Sequence, residues 1–181
     1  GLYNNLIDAY NKSEISFKDV TTFNLDEYYP IAPENEQSYI YYMNANLFSK
    51  VDINPQNINI PNGRADNADL EALEYDKKIK EKGGIDLQLL GVGPNGHIAF
   101  NEPGEQLESA THVTELTQKT IMANSRFFES IDDVPKRALT MGLESIFTAK
   151  RLLVLIAGSG KKEVYEMLKT GKITTKCPAT L

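Results

Sequence analysis

Three polar side chains, His97, Asn101 and Glu102, directly follow a glycine-rich stretch in the middle of the chain. The largely apolar run 85–90 before the glycines has the length of a buried strand. Open α/β sheets bind ligands in loops outside the carboxyl ends of their strands, so this loop is a candidate active site. An imidazole beside a carboxylate could transfer protons, because the carboxylate fixes the histidine tautomer and raises its basicity.

Two other interpretations of this loop are weak. Residues 91–96 fit the dinucleotide pattern G-x-G-x-x-G, but that site needs a helix opening at the third glycine. The turn signal Glu102-Pro103-Gly104 follows instead. A zinc site is also disfavoured, since His97 and Glu102 are not spaced as in H-E-x-x-H and no third ligand has helpful spacing. We therefore predict no metal and no nucleotide cofactor.

An acidic pair and two cations are further candidates. Asp26 and Glu27 follow a predicted strand over 20–25, and alternation along extended chain predicts that only one of them faces a site. A solvated turn is the alternative for this pair. Arg126 and Lys161 could hold a phosphate, and Lys161 follows Gly-Ser-Gly at a predicted helix start, where the helix dipole favours an anion. They could equally be two surface cations among nineteen.

Composition limits the class of protein. The chain has 181 residues, 41% of them apolar, which suits a single domain with a real core. A net charge of −6 argues against a nucleic-acid partner, and no apolar run reaches a membrane-spanning length. The single cysteine, Cys177, is expected to be a buried small residue, and one cysteine without a secretory signal favours the cytoplasm.

Hydrophobic periodicity predicts alternating helices and strands. We expect helices over 2–10, 39–48 starting at Ser38, 69–81 with Leu70, Leu73 and Ile79 on its apolar side, and 161–168. Besides 20–25 and 85–90, strands are expected over 57–60 and 111–116, and a buried strand is expected over 151–157. A helical turn is expected within 120–128, and the pattern over 134–143 is ambiguous. The fold class is therefore α/β, with a mostly parallel open sheet and helices on both faces.

The central stretch G-V-G-P-N-G-H-I-A-F-N-E-P resembles the signature of the glucosamine-6-phosphate deaminase family, also called glucosamine-6-phosphate isomerases. FNLDEYY, ANSRFF and AGSGK, over 23–29, 123–128 and 157–161, resemble three further family motifs, so the resemblance covers nearly the whole chain. It implies a modified Rossmann-like fold and conversion of glucosamine 6-phosphate and water to fructose 6-phosphate and ammonia, without a cofactor. The lactonase-type loop G-H-T-A-S-L-F-P is the nearest enzymatic alternative, and a non-catalytic sugar-phosphate-binding domain is another.

The resemblance also implies residue roles. Asp26 would move a proton between two sugar carbons, and His97 would open the sugar ring with support from Asn95 and Glu102. Arg126 and Lys161 would bind the substrate phosphate. Family members have a strand and a phosphate loop before the position of Gly1 and a further segment after that of Leu181, so 1–181 is expected to be one domain lacking these parts and to be inactive alone. A homo-oligomer remains open.

Overall fold

The computed structural model describes residues 1–181 except the side chain of Ala123. Its helices are α1 (Leu2–Asn11), α2 (Tyr39–Asn46), α3 (Ala68–Glu81), α4 (Gln118–Asn124), α5 (Leu143–Phe147) and α6 (Lys162–Lys169). Its strands are β1 (Thr22–Phe23), β2 (Asp26–Tyr29), β3 (Ile58–Asn59), β4 (Gln88–Gly91), β5 (His112–Glu115), β6 (Arg137–Thr140) and β7 (Leu152–Leu155). Within the described chain, no helix has both the length and the hydropathy that crossing a membrane requires.

The strands form three small sheets. β1 pairs with β3 and β4 pairs with β7, both in parallel. The third sheet has the order β2-β6-β5, and both of its pairings are antiparallel. Parallel pairs connected through helices confirm the predicted α/β class. The antiparallel sheet is an addition that the sequence pattern did not indicate, although the ambiguous segment 134–143 does contribute β6 to it.

The prediction that Asp26 and Glu27 end a strand over 20–25 is wrong, because the chain changes partners just before them. The backbone N–H of Asn24 still donates to β3, at 2.9 Å. The carbonyl of Leu25 already accepts a hydrogen bond, at 2.7 Å, from the residue after β6. β1 is therefore only two residues long, and Asp26 and Glu27 open the separate strand β2.

Side-chain caps fix where two of the predicted helices begin. Ser38 Oγ accepts from the backbone N–H of Tyr41 at 3.1 Å and caps α2, which confirms the predicted start of this helix. Asn67 Oδ1 accepts from the N–H of Leu70 at 3.0 Å and begins α3. Such caps satisfy N–H groups that have no partner inside the helix. Acidic residues in the first turn of α3 and lysines in its last turn further suit the helix dipole.

The buried face of α3 differs from the predicted one. Leu70 and Leu73 are 54% and 63% exposed, and of the three predicted residues only Ile79 is buried. The buried stripe has helical spacing but includes two alanines, whose small side chains let the helix approach the sheet closely: Ala68, Ala72, Tyr75 and Ile79. The prediction failed because it weighted large apolar residues over small ones.

The largest cluster of the core lies around β4 and the loop after it. Leu90, Val92 and Ile98 pack there with residues of α5 and α6. β7 exists at the predicted position, but the prediction that it is buried is wrong, since Leu152 is 38% and Leu155 is 46% exposed. An apolar run favours a strand, yet it does not say whether another layer covers both faces of that strand.

Candidate active site

A cleft of about 280 Å³ lies between β2, the start of α2, the loop after β4 and α4. Its lining includes four of the six predicted site residues: Asp26, Asn95, His97 and Glu102. Residues far apart in sequence therefore meet in one cavity, near the lower end of the volumes typical of small-molecule sites. The other lining residues are Tyr39, Pro94, Ala99, Phe100, Thr117, Lys119, Thr120 and Asn124.

A tight turn between His97 and Glu102 brings these two side chains together. The backbone N–H of Asn101 donates to the carbonyl of Ile98 at 3.0 Å, and the two residues form an isolated β-bridge. Ala99 enters the turn with a φ of 51°, in the left-handed region that non-glycine residues seldom adopt. The turn reverses the chain, so residues five apart face each other across it.

Glu102 is held by hydrogen bonds at both of its carboxylate oxygens. Asn95 Nδ2 donates to Oε2 at 2.6 Å, and Thr120 Oγ1 donates to Oε1 at 3.2 Å. His97 Nδ1 lies 3.5 Å from the same Oε1. The contact with His97, followed by the hydrogen bonds from Asn95 and Thr120, lowers the pKa of Glu102 although partial burial opposes this. Glu102 is therefore an ionised partner for the imidazole.

The contact between His97 and Glu102 defines which nitrogen of the imidazole is free. His97 Nδ1 is buried and, within the described residues, makes no hydrogen bond of normal length. Catalytic hydrogen bonds are often long in the absence of substrate and shorten when it binds. A proton on Nδ1 that points to Glu102 leaves Nε2 unprotonated in the neutral ring, and Nε2 is then the nitrogen that can accept a proton.

Two glycines of the loop are required by close contacts. A Cβ atom built on Gly93 would overlap Cε1, Nδ1 and Nε2 of His97, so the imidazole lies directly on this backbone. Gly96 has a φ of +87°, and a Cβ there would overlap Sγ of Cys177. Cys177 is fully buried, as predicted from the sequence. The glycines therefore let the loop pack tightly beneath the imidazole instead of forming a nucleotide site.

Asp26 faces the cleft from the start of β2, whereas its neighbour Glu27 faces the protein interior. Burial, with a smaller contribution from the charge of Glu27, raises the pKa of Asp26 to about 7. The Glu27 carboxylate accepts backbone N–H groups of Tyr28, Tyr39 and Ile40 at 2.8–3.0 Å. Only one member of the acidic pair therefore reaches the site, and its pKa suits a general base near neutral pH.

The end of β6 connects Asp26 to the histidine loop. Asp26 pairs with Thr140 in the sheet, and Thr140 Oγ1 accepts the backbone N–H of Phe100 at 3.1 Å. The next residue, Met141, accepts Asn101 Nδ2 at 2.9 Å through its carbonyl. Asn101, singled out in the sequence for its polarity, is thus buried and positions the turn. One short segment therefore sets the distance between the base and the imidazole.

Arg126 and Lys161 are not part of the cleft lining. The guanidinium of Arg126 lies over the ring of Phe127, 4.6 Å from its centroid. Lys161 Nζ donates to the carbonyl of Val92, at the beginning of the loop after β4. The structure therefore brings together the four predicted proton-transfer and support residues, whereas the two predicted phosphate ligands are not among the residues that line the cleft.

Several cleft residues were missed from the sequence. Tyr39 was interpreted as packing, yet it lines the cleft while it stacks on Tyr28 at a centroid distance of 5.3 Å. Lys119, Thr120 and Asn124 come from α4, and of these only Asn124 lies in a stretch, 123–128, that resembles a family motif. The spacing of Thr120 and Asn124, one helical turn apart, was the available signal that both lie on one face.

The fold and this cleft define a class: an α/β protein whose loop and strand ends carry a general-base carboxylate and a carboxylate-supported histidine. The sequence model of the family "Glucosamine-6-phosphate isomerases/6-phosphogluconolactonase" matches residues 1–181. Glucosamine-6-phosphate deaminase of Clostridium perfringens (strain 13 / Type A) is 52% identical over the whole chain, which covers 75% of its length. The corresponding protein of Halothermothrix orenii is 49% identical, also over the whole chain and 75% of its length. The chain belongs to this family.

Solved structures agree with this assignment. A monomeric glucosamine-6-phosphate deaminase superposes with a TM-score of 0.94 at 44% identity, over 99% of this chain and 74% of that one. The 6-phosphogluconolactonase of Thermotoga maritima superposes with a TM-score of 0.69 at 21% identity, over 96% of this chain and 73% of that one. The second similarity shows only that the fold is shared.

Proposed function

We propose that this chain converts glucosamine 6-phosphate and water to fructose 6-phosphate and ammonia. The observation that carries the proposal is the single cleft in which Asp26 and the His97–Glu102 pair meet. An aldose–ketose isomerisation needs one group to open the ring and another to move a carbon-bound proton, and both are present. The similar proteins of Clostridium perfringens and Halothermothrix orenii, which carry this activity in their names, support the choice of substrate.

Ring opening is the step that we propose for His97. Its free nitrogen takes the proton of the O1 hydroxyl and delivers a proton to the ring oxygen O5, while the C1–O5 bond breaks and an aldehyde forms. Glu102 stabilises the imidazolium formed in between, and Asn95 keeps the carboxylate oriented through its 2.6 Å hydrogen bond. Asn95 can donate this bond because it carries an amide, which also avoids a second negative charge beside Glu102.

Isomerisation is the step that we propose for Asp26. Its carboxylate takes the proton from C2 while O1 takes up a proton from water, which gives a 1,2-enolamine. Return of the proton to C1 gives a C2 iminium, and water hydrolyses the iminium to the ketose and ammonia. A base with a pKa of about 7 can both accept and return this proton near neutral pH. The protein therefore needs only proton-transfer groups for these steps, and we propose that no metal or organic cofactor takes part.

We further propose that Arg126 and Lys161 bind the phosphate of the substrate. Both carry the charge and donors that a phosphate requires. Lys161 would exchange its hydrogen bond to Val92 for one to a phosphate oxygen, because a charged acceptor is stronger than a backbone carbonyl. This exchange would occur beside the loop that carries His97, which makes it compatible with a sugar that extends from the cleft.

Ammonia release from glucosamine 6-phosphate by the intact protein tests the function. His97→Gln should lower the rate by ~10²- to 10⁴-fold, the range typical of a positioned acid–base group. His112→Gln is a matched control, because His112 lies outside the cleft and its Nδ1 contacts only a backbone carbonyl, that of Ala110 at 2.9 Å. Equal activity of both variants would refute the role of His97.

Two alternative functions are separated by the same assay. Hydrolysis of 6-phosphogluconolactone without ammonia release would indicate a lactonase, and binding of sugar phosphate without turnover would indicate a non-catalytic domain. Asn101 and Glu102 disfavour the lactonase, whose typical loop lacks both residues. A cytoplasmic location and a homo-oligomer remain predictions. Light scattering on the intact protein checks the oligomeric state, and the similar solved deaminase is described as monomeric.

A further inference from the structure

A chain of two threonine hydroxyl groups leads from α4 to the carboxylate of Glu102. Thr120 Oγ1 lies 3.2 Å from Glu102 Oε1, and Thr117 Oγ1 lies 2.9 Å from Thr120 Oγ1. Thr117 is also the N-cap of α4, because its Oγ1 accepts the backbone N–H of Thr120 at 3.1 Å. The side chain that contacts Glu102 therefore belongs to the first turn of a helix, and the Thr117 cap holds that turn in place.

The direction of these hydrogen bonds follows from the chemistry of the groups. An ionised carboxylate only accepts, so Thr120 must donate its single hydroxyl proton to Glu102. Thr120 then has no proton left for Thr117, so Thr117 donates to Thr120. The hydroxyl groups therefore point in one direction, and the oxygen that receives the last bond is Oε1, the same oxygen that faces His97 Nδ1 at 3.5 Å.

We infer that Thr120 is a positioning residue for the proposed ring-opening step, acting through Glu102 on His97. The inference rests on the proposed function and deepens it. Asn95 fixes Oε2 from the loop itself, but only Thr120, among the described contacts, fixes Oε1 from a different element. Without the Thr120 hydroxyl, the Glu102 carboxylate would be held only by the hydrogen bond from Asn95 to Oε2. It would then be free to turn, and Oε1 would lose its alignment with the imidazole.

Thr120→Val removes the hydroxyl at nearly constant shape. We expect kcat for glucosamine 6-phosphate to fall about tenfold, as for loss of one hydrogen bond to a charged group, with KM within about twofold. Thr120→Ser keeps the donor and should restore kcat to within about twofold of the wild-type value. Thr148→Val is the matched control, because Thr148, directly after α5, is exposed and its hydroxyl donates, among the described contacts, only to the carbonyl of Glu144.

A carboxyl titration followed by ¹³C NMR gives a second measurement that does not depend on turnover. The signal of Glu102 is assigned with Glu102→Gln. Because the Thr120 hydrogen bond contributes to the lowered pKa of Glu102, Thr120→Val should raise that pKa, and Thr120→Ser and Thr148→Val should not. The other groups that face Glu102 are His97 and Asn95, and Asp26 and Lys119 line the same cleft. None of these four residues is substituted in the variants to be titrated.

The outcomes separate this inference from the proposed function. If the wild-type protein releases no ammonia, the proposed function fails, and the titration alone decides whether Thr120 holds Glu102. A tenfold loss of kcat with serine rescue and a raised pKa of Glu102 would support the inference. An unchanged titration, an equal loss in Thr120→Ser, or a change in KM alone would overturn it, the last because it would indicate direct contact with the substrate.

Discussion

Asp26→Asn should make the protein less active and more stable. Above its unfolded-state pKa of 3.8, the carboxyl of Asp26 remains protonated in the folded protein up to about pH 7. Between these values the folded state binds more protons than the unfolded state, so the free energy of unfolding falls as pH rises. The loss of stability caused by ionising the buried carboxyl is absent below about pH 4 and fully present above about pH 7. An asparagine carries no such charge, so the variant should not show this fall.

The size of the effect follows from the change in pKa. A difference of about three pH units corresponds to about 4 kcal/mol, at about 1.4 kcal/mol per unit. Asp26 keeps part of its surface exposed in the cleft, so water can solvate its charge and this value is an upper bound. We therefore expect Asp26→Asn to raise the free energy of unfolding at pH 8 by about 2–4 kcal/mol, and to leave it nearly unchanged at pH 4.

Urea unfolding of the intact protein at several pH values between 4 and 8.5 measures this difference directly. Subtracting the wild-type curve removes the contributions of all other titrating groups. Asp86→Asn is the control, since Asp86 is an exposed carboxylate paired with Lys150 at 2.6 Å and its pKa is lowered rather than raised. The free energy of unfolding of Asp86→Asn should fall with rising pH as it does in the wild-type protein. A difference between wild type and Asp26→Asn that does not grow with pH would refute the argument.

The activity of the same variant tests the role of the carboxylate. The rate of isomerisation should fall by ~10²- to 10⁴-fold while substrate binding persists, because the amide keeps the shape of the side chain but cannot accept the C2 proton. In the wild-type protein, kcat/KM should fall as pH drops through about 7, where Asp26 becomes protonated. Near-normal turnover in Asp26→Asn would remove this residue from the mechanism.

Three further substitutions test other parts of the site. His97→Gln should reduce turnover of the closed-ring substrate more than that of an open-chain analogue, and an equal loss for both would exclude a role in ring opening. Arg126→Ala should mainly raise KM, because a phosphate contact stabilises ground and transition states alike, and a change confined to kcat would contradict this. Gly93→Ala should displace the imidazole and lower kcat by ~10²-fold or more, because misplacement of a catalytic group slows the reaction to this extent. Gly91→Ala is its control. It should retain the wild-type rate, because the space around the Cβ position of residue 91 is open.

The elements that the sequence predicted well are those with strong local signals. The start of α2 at Ser38 and the glycines after α3 and β4 mark the ends of these elements to within a few residues, and such signals do not depend on tertiary contacts. Burial was predicted less well, as α3 and β7 both show. Which face of α3 packs, and whether β7 is covered, depend on neighbours that no local pattern describes.

The site residues that could be predicted are those that lie in short motifs, and Asp26 lies in one of these, over 23–29. His97, Glu102 and Asn95 lie on one loop, so a short motif contains all three. The contact of Thr120 with Glu102 joins residues eighteen apart that share no motif, and it becomes visible only when α4 packs beside the loop. The residues that support catalysis are therefore harder to predict than those that perform it.

The antiparallel sheet, which the sequence did not indicate, explains how a base and a distant histidine reach one substrate. β2 leaves the parallel β1–β3 pair and joins β6, so Asp26 lies opposite Thr140. The hydroxyl of Thr140 holds the backbone of Phe100, within the turn between His97 and Glu102. The proton at C2 and the ring oxygen of one sugar must be reached without moving the substrate. A rigid connection through a fully buried threonine meets this need better than two independent loops would, since misalignment by about 1 Å can cost ~10²-fold in rate.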